Sequence, residues 1–489
     1  MKIVLIFPNY FRKNFFFAPG AFHLPLGLAM IAAVLRKAGH DVHVIDATAE
    51  RMNIHEVEKR VAAIEPSIIG ITSNIAVSRK AIITARWLKA RFKTTRIIFG
   101  GPFATIEYNV LLSKKCCDFV VLGEGETTIV DLIDALQNDN PISAIQGIAY
   151  VDETSNAVLV TQPGVFIEDL DSLPFPAWDL FPTPRKYFFA TRGRNFYPLM
   201  TSRGCPYGCI NCTKIIHGYK LRYRSIENII EEIRFIHDKF NMNELFIIDD
   251  NFNFDVDRAE KICDAIIGLD FKFHIKFSNG LRADKITPRL VWKLKRAGTY
   301  EVALGIESGN QEILDKIGKN LDLNSVRRAI TLLKKENIMV DGFFMVGLPF
   351  ENIHSFIQTK HFALESGIDS ASFFKVVPFR GTKLYDEIQA SGKFIQTDLE
   401  DANFFSFQPP MFELNHLPSE LIELAFKDFY SSFFIRKQTL KQLITRLTPN
   451  FLRWYINFGF EILVNVFPSK KKGARGIKEK IIQKLTQED

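Results

Sequence analysis

Residues 201–212 read Thr-Ser-Arg-Gly-Cys-Pro-Tyr-Gly-Cys-Ile-Asn-Cys, and they place Cys205, Cys209 and Cys212 at Cys-x3-Cys-x2-Cys spacing. A [4Fe–4S] cube normally takes four cysteine ligands. Three thiolates leave one iron without a protein ligand, and an open metal site is where a substrate can coordinate. Gly204 and Gly208 let the loop wrap closely around such a cube, because glycine adopts backbone conformations that other residues avoid. The spacing therefore predicts a cluster with one open iron.

The same cysteines could instead belong to a zinc site, which takes four ligands. His217 lies five residues after Cys212 and keeps that alternative open. The remaining cysteines, Cys116, Cys117 and Cys263, are predicted to be ordinary buried thiols. Six cysteines in 489 residues do not make a disulfide framework, so a reducing cytoplasm is the expected location.

Residues 197–400 alternate β-rich runs with segments of helical spacing, which is the pattern of a partial (β/α) barrel. In barrels of this kind the chemistry takes place at the carboxyl ends of the strands. The predicted strands are Tyr197–Thr201, Leu245–Asp249, His274–Ser278, Val302–Ile306, Asp341–Val346 and Ser372–Pro378.

Residues 1–140 show the same alternation and predict an α/β domain with a doubly wound, flavodoxin-like parallel sheet. Such sheets bind ligands beyond the carboxyl ends of their strands. Here those ends carry glycines and small polar residues, which suit a loop surface facing a large ligand. The alternative is that they are simple turn residues. They are Asn9, Ser73, Asn74, Gly100, Gly101, Pro102, Gly123, Glu124, Gly125 and Glu126.

Two less regular regions complete the chain. Residues 141–196 include a proline-rich stretch and predict an extended connector. Residues 401–489 predict a helical region with helices at Glu420–Phe434, Gln438–Leu447 and Phe451–Phe467. The last helix is rich in aromatic residues, and a lysine cluster follows it. This tail predicts either peripheral contact with a membrane or a helix packed on the barrel.

The cysteine motif resembles the signature of radical S-adenosylmethionine enzymes, whose open iron binds the amino and carboxylate groups of that cofactor. One electron from the cluster then cleaves a C–S bond and gives a 5′-deoxyadenosyl radical. The later strand ends are similar to those of the family, although the usual Gly-Gly-Glu is absent, and Glu307 could alternatively pair with Arg282. The resemblance implies that S-adenosylmethionine contacts Tyr207, Asp249, Asp250, Asn251, Glu307, Ser308 and Gly347.

A doubly wound domain ahead of such a barrel resembles the cobalamin-binding class of this family. Pro25–Leu28, Leu35–His40 and Gly123–Glu126 are typical of its first domain, and the resemblance implies that the strand-end residues named above bind cobalamin. One departure concerns the Asp-x-His-x-x-Gly motif, because Asp46 stands where glycine belongs and His43 falls in a predicted strand. No histidine ligand to cobalt is expected. The cofactor should be base-off, with its lower face empty, water-bound or met by another side chain.

The resemblance implies a cobalamin-dependent methyltransferase that acts on an unactivated carbon of a small-molecule or lipid-like substrate. An electron donor such as flavodoxin or ferredoxin would reduce the cluster. A ring-forming oxidative cyclase with the same two domains is the nearest alternative, and a non-catalytic cobalamin or iron–sulfur sensor is a second one. A nucleic-acid substrate is not expected, because the basic residues gather in the tail and no separate RNA-binding module is evident.

Overall fold

The computed structural model describes residues 1–9, 24–187, 191–396, 409–434 and 436. Its strands are β1 (Lys2–Phe7), β2 (Asp41–Asp46), β3 (Ile68–Thr72), β4 (Arg96–Gly100), β5 (Phe119–Val121), β6 (Ile148–Val151), β7 (Val158–Val160), β8 (Phe196–Leu199), β9 (Ser202–Arg203), β10 (Arg222–Tyr223), β11 (Glu244–Ile247), β12 (His274–Leu281), β13 (Thr299–Glu307), β14 (Met339–Val346), β15 (Ser370–Lys375), β16 (Gly392–Phe394) and β17 (Phe412–Leu414). Its helices are α1 (Leu26–Lys37), α2 (Ile54–Ile64), α3 (Ser78–Arg91), α4 (Pro102–Ile106), α5 (Tyr108–Ser113), α6 (Glu126–Asn138), α7 (Ile226–Phe240), α8 (Val256–Ile267), α9 (Pro288–Arg296), α10 (Gln311–Lys316), α11 (Leu323–Lys335), α12 (Ile353–Glu365), α13 (Lys383–Ser391) and α14 (Ser419–Phe434).

The first unit is built on a seven-stranded sheet with the order β2-β1-β3-β4-β5-β6-β7. Strands β1 to β5 are parallel, which confirms the predicted doubly wound arrangement. The apolar run of β1 is almost wholly buried, as expected for a central strand of a parallel sheet covered on both faces. Because these strands are parallel, their carboxyl ends meet at one edge of the sheet, where the predicted ligand loops lie.

Strands β6 and β7 extend this sheet beyond residue 140 by antiparallel pairing. No strand was predicted there, because both strands are short and β7 is largely exposed, so neither has a clear apolar pattern. Helices α4 and α5 were not predicted either, and α4 begins at Pro102, a residue suited to the first turn of a helix. The boundary between the first domain and the connector at residue 140 stays a prediction.

The connector packs along the first unit. The Ala177 N–H donates to the carbonyl of Ala29 in α1 at 3.1 Å. The Tyr187 hydroxyl donates to the buried Asp46 carboxylate at 2.6 Å. Burial raises the pKa of Asp46 to about 6, although hydrogen bonds from Ala49 and Tyr187 oppose it. These contacts hold the connector close to the strand ends.

The second unit contains six parallel strands in the order β15-β14-β13-β12-β11-β8, which confirms the predicted partial barrel. Each strand is followed by at least one helix or by the cysteine loop. Within β14, Asp341, Phe343 and Met345 are partly exposed while the residues between them are buried. These three side chains therefore share the less buried face of the strand.

Helix α14 packs against the last barrel strand through aromatic rings. The Phe373 ring lies 5.3 Å from the Phe429 ring and 6.1 Å from the Phe433 ring, measured between centroids. These contacts account for part of the high phenylalanine content of the chain and confirm the first predicted C-terminal helix. The other two predicted helices, Gln438–Leu447 and Phe451–Phe467, lie outside the described residues, as does the lysine cluster. In the described part of the chain, no helix combines the length and apolar character that crossing a bilayer requires.

Candidate active site

The cysteine loop follows β8 at the carboxyl end of the barrel, and its backbone is anchored on both sides. The Cys205 N–H donates to the carbonyl of Gly218 at 3.2 Å, and the Ile210 N–H donates to the carbonyl of Ile317 at 3.0 Å. Gly204 has a φ of +91°, and a Cβ at this position would collide with the carbonyl of Lys220. Glycine is therefore needed here for the loop to close.

The three motif thiols lie near one another. Cys205 and Cys209 are half-buried and Cys212 is exposed, whereas Cys116, Cys117 and Cys263 are buried as predicted. Although the residue Cys212 as a whole is exposed, desolvation of its thiol by the surrounding protein raises its pKa, and the neighbouring Cys209 and Cys205 raise it further. Over the described residues, no group of three or more His, Cys, Asp or Glu side chains is placed to hold a single metal ion.

The structure does not support the zinc alternative with His217 as fourth ligand. The His217 ring instead places Nδ1 3.1 Å from Oε1 of Glu124, which belongs to the first unit.

Asp249, Asp250 and Asn251 begin two residues after the end of β11, and the Asp249 side chain makes its contacts within the protein. Its buried carboxylate accepts hydrogen bonds from the Thr201 N–H at 2.7 Å, the Thr201 hydroxyl at 2.5 Å and the Ser202 hydroxyl at 2.6 Å. These residues lead directly into the cysteine loop. Burial raises the pKa of Asp249, and the hydrogen bonds from Ser202 and Thr201 oppose that rise. The Asp249 side chain therefore fixes the backbone that leads into the cysteine loop.

Asp250 and Asn251 reach the loop itself. The Asp250 carboxylate accepts a hydrogen bond from the Gly204 N–H at 3.1 Å. The Asn251 amide nitrogen lies 3.9 Å from the Cys205 sulfur. Among the described residues, the side-chain oxygens of Asn251 and Asn211 are buried without a hydrogen-bond partner. Such orphaned acceptors beside three thiols fit a site that receives an additional group.

The other residues predicted to contact S-adenosylmethionine lie at further strand ends of the barrel. Glu307 ends β13 with a φ of +68°, and its carboxylate pairs with Lys319 at 2.8 Å, so Arg282 is not its partner. The Arg282 guanidinium instead lies 3.6 Å from the centre of the Tyr207 ring. Ser308 is buried, with its hydroxyl 3.1 Å from that of Thr359.

Gly347 follows β14 with a φ of +100°, a conformation that favours glycine. The Glu351 carboxylate accepts hydrogen bonds from the N–H groups of Gly347 and Leu348, both at 2.8 Å. Burial raises the pKa of Glu351 to about 8. Glu351, for which no role was predicted, shapes this loop through these two hydrogen bonds.

A cavity of about 550 Å³ lies at the ligand edge of the first sheet and extends between the sheet and α1. Eight of the ten residues predicted to bind cobalamin line it, and they are Asn74, Gly100, Gly101, Pro102, Gly123, Glu124, Gly125 and Glu126. Asn9 and Ser73 are described residues that lie outside this lining, and the Asn9 amide donates to the carbonyl of Met52. The connector closes one wall with Leu170, Leu173 and Pro174–Pro176, and the barrel unit closes another with Met200, Arg203, Ile216, His217, Arg224, Glu232 and Ile248.

The part of the cavity nearest the sheet is lined by apolar residues. It is lined there by Leu5, Gly70 and Ile98, which are aligned on β1, β3 and β4, and by Pro25 and Met30 from the α1 side. A Cβ at Gly70 would lie 2.7 Å from Cδ2 of Leu5. We call this apolar part of the cavity the slot, and its lining is compatible with an apolar or aromatic group such as the detached base of a base-off cobalamin.

The charged residues where the two units meet form an ion-pair cluster. Glu124 accepts two hydrogen bonds from Arg222, at 2.8 and 2.7 Å, and Arg203 bonds to Glu126. Sequence reasoning missed both arginines. The two carboxylates in Gly123–Glu126, Glu124 and Glu126, could have suggested that arginines lie nearby, because charged residues are rarely buried unless they are paired.

Two family models match the chain. The B12 binding domain matches residues 17–133, and the Radical SAM superfamily matches residues 199–363. The first match spans β2 to β5 of the sheet beside the cavity, and the second begins at the end of β8 and includes the cysteine loop.

Full-length relatives and solved structures agree with this division. An uncharacterized methyltransferase of Pyrococcus horikoshii is 30% identical over 444 residues, which cover 90% of this chain and 94% of that protein. An anaerobic magnesium-protoporphyrin IX monomethyl ester cyclase of Synechocystis is 27% identical over 462 residues, covering 93% of this chain and 90% of that one. The cobalamin-dependent S-adenosylmethionine radical enzyme OxsB shares the fold, with a TM-score of 0.72, 17% identity and coverage of 99% of this chain and 75% of that one.

The two domain matches follow the order that was predicted. The first contains strand-end residues that line the cavity, and the second contains the cysteine loop. The chain belongs to the cobalamin-binding radical S-adenosylmethionine enzymes, whose cofactors are a [4Fe–4S] cluster, S-adenosylmethionine and cobalamin.

Proposed function

We propose that the protein is a methyltransferase that uses a 5′-deoxyadenosyl radical and cobalamin to methylate an unactivated carbon of a small-molecule substrate. The observation that carries this proposal is the shared wall between the two units. Arg203 lies two residues before Cys205, the first cysteine of the loop. It lines the cavity together with the strand-end loops of the first unit. A radical generated at the cluster and a methyl group on cobalamin would therefore both be close to one substrate.

The barrel residues have separate roles in this proposal. Cys205, Cys209 and Cys212 would hold three irons of the cluster, and the Asn251 amide nitrogen lies 3.9 Å from the sulfur of Cys205. Tyr207, Asp250 and Ser308 would lie near S-adenosylmethionine, with Asp249 acting through the backbone that it supports. The Glu307–Lys319 pair offers hydrogen bonds to hydroxyl groups of the cofactor, and the Gly347 loop offers backbone against its adenine.

The first unit positions the second cofactor. Cobalamin, when bound, supplies the methyl group, and the protein supplies the surface that orients it. The eight strand-end residues around the cavity mouth would contact the corrin periphery, and the slot beside Gly70 would take the detached base. An external donor such as flavodoxin or ferredoxin would supply the electron that initiates cleavage of S-adenosylmethionine.

An oxidative cyclase is the second candidate, because a relative of that name aligns with 93% of the chain. Product mass separates the two reactions, since methylation adds one CH2 unit and cyclisation removes hydrogen. Comparing metabolites from anaerobic cells with and without the gene should reveal a pair of compounds that differ by CH2. A pair that differs only by lost hydrogen would replace the methyltransferase with the cyclase.

A larger side chain in the slot should weaken cobalamin binding. Gly70→Ala would place its Cβ 2.7 Å from Cδ2 of Leu5, so that the Leu5 side chain, which also lines the slot, must shift. We expect at least about tenfold weaker binding, or about 1.4 kcal/mol, measured by spectral titration with cobalamin. Gly27→Ala is the matched control, because a Cβ there meets nothing within 4 Å although Gly27 also lines the cavity. Equal affinities in both variants would contradict the assignment of the slot.

Replacing His43 should leave the cobalamin site unchanged. The structure places His43 within β2, and its Nε2 lies 3.1 Å from the Asp41 carboxylate. We expect His43→Ala to bind cobalamin with unaltered affinity and with the base-off absorption spectrum of the wild type. A histidine-ligated spectrum in the wild type that disappears in this variant would show that the residue binds cobalt.

A further inference from the structure

Glu124 is the central residue of the ion-pair cluster between the two units. Its carboxylate accepts hydrogen bonds from Arg222, from the Ile167 N–H at 2.9 Å and from His217, and Arg203 lies 3.3 Å away. The side chains of Glu124 and Arg222 are each only 2% exposed. Burial alone would raise the pKa of Glu124, but the bonds from His217 and Arg222 and the charge of Arg203 hold it well below its ordinary value. The carboxylate is therefore an ionised group buried between the units.

The partners of Glu124 lie in the segments of chain that flank the cysteine loop. Arg222 donates a further hydrogen bond to the carbonyl of His217 at 2.9 Å, and Cys205 is bonded to Gly218 in the same segment. Strand β10, which contains Arg222, pairs with β9, which contains Arg203. A displacement of the Glu124 carboxylate would therefore be transmitted to the residues on either side of Cys205.

The same carboxylate also faces the proposed cobalamin cavity. Glu124 and Glu126 line it from the first unit, and Arg203 and His217 line it from the second. A ligand in the cavity would thus contact the same set of ion pairs that is hydrogen-bonded to the segment next to Cys205. The reduction potential of an iron–sulfur cluster responds to hydrogen bonding and to solvent exposure, and both depend on how this loop is held.

We propose that Glu124 is a positioning residue that couples cobalamin occupancy to the reduction potential of the cluster. The coupling acts through the Arg203 and Arg222 guanidiniums and needs neither substrate nor product. It rests on the proposed function only in requiring that the protein binds both cofactors. Its test therefore remains valid if the reaction proves to be cyclisation.

The test is an anaerobic redox titration of the cluster, followed by electron paramagnetic resonance, in protein with and without cobalamin. In the wild type, cobalamin should change the ratio of reduced to oxidised cluster at a fixed potential by about fivefold or more, a modest coupling between two sites. Glu124→Gln keeps the size and one acceptor oxygen but removes the charge. Because Glu124 also lines the cavity, this variant is titrated at saturating cobalamin, with bound cobalamin and iron measured in the same samples, and its cluster should no longer respond to cobalamin.

Glu107→Gln is the matched control. Glu107 is also a buried carboxylate of the first unit that reaches the barrel unit, where it pairs with Arg380 at 3.3 Å, but it is not among the residues that line the cavity. This variant should keep the wild-type response.

Arg222→Lys keeps the positive charge but loses the bidentate hydrogen bonds to Glu124, so its cluster should not respond to cobalamin. This variant provides the test if Glu124→Gln does not fold. A wild type that ignores cobalamin, or a full response in both Glu124→Gln and Arg222→Lys, would overturn the proposal.

Discussion

Changing any one of Cys205, Cys209 and Cys212 to alanine is expected to abolish formation of 5′-deoxyadenosine and to leave the fold intact. Each of these thiols lies on a loop whose backbone is held by Gly218, Ile317 and the Gly204 turn, so the loop does not need the side chain to keep its shape. Loss of one ligand should lower the iron content below four per chain. Iron analysis and product chromatography after anaerobic reconstitution measure both effects.

The remaining cysteines provide matched controls. Cys263 is buried, and burial raises the pKa of its thiol to about 12, so it is an unreactive core residue. Cys116 is also buried, and its thiol lies 3.2 Å from the carbonyl of Leu111, a contact that a serine hydroxyl can reproduce. Serine at 116, 117 or 263 should preserve cluster and activity. A full cluster and normal cleavage in a variant that lacks Cys209 would disprove the site assignment.

Replacing Asp249 by alanine should have the second-largest effect, and we expect it to act through stability. The change leaves the Thr201 N–H and the hydroxyls of Thr201 and Ser202 without their buried acceptor. Each unsatisfied buried group costs roughly 1–3 kcal/mol, so a loss of about 3–5 kcal/mol is expected. Denaturant unfolding of the apo-protein measures it, and the cluster should assemble poorly in the same variant.

Two substitutions test whether that effect comes from the three hydrogen bonds. Asp249→Asn retains one acceptor oxygen and should be milder than alanine. Asp238→Ala removes a carboxylate that is 76% exposed and should change stability by no more than about 0.5 kcal/mol. If Asp249→Ala were as stable as Asp238→Ala, and only S-adenosylmethionine binding were weakened, Asp249 would be a direct cofactor contact.

The fold was predictable where the apolar pattern was long and regular. The parallel strands of both sheets and most of their helices follow such patterns, with ends that differ by a few residues. Strand β7 was not predictable, because its three residues are mostly exposed and gain their order from pairing with β6. The short helix α4 depends on the positive φ of Gly101 and on Pro102, a local geometry that the apolar pattern does not carry.

The candidate site was predictable where spacing alone fixes it, as for the cysteines and the glycine-rich strand ends. Contacts between distant residues were not. Glu124 and Arg222 are 98 residues apart in sequence, and the residues around each of them do not indicate that the two side chains pair. For the same reason the sequence offered Arg282 as a partner of Glu307, whereas the backbone after α10 brings Lys319 to it. Asn9 and Ser73 occupy the right loops but lie outside the cavity lining, which strand-end position cannot distinguish.

One measurement tests the central claim most directly, namely that one protein combines cluster chemistry with methyl transfer through cobalamin. The reconstituted enzyme is incubated anaerobically with reductant and S-adenosylmethionine, with and without cobalamin, and the products of the cofactor are quantified. We predict 5′-deoxyadenosine in both cases, from reductive cleavage, and S-adenosylhomocysteine only when cobalamin is present to accept the methyl group. 5′-Deoxyadenosine without S-adenosylhomocysteine in the cobalamin-loaded enzyme would contradict the methyltransferase, and the absence of both products would contradict enzymatic cleavage altogether.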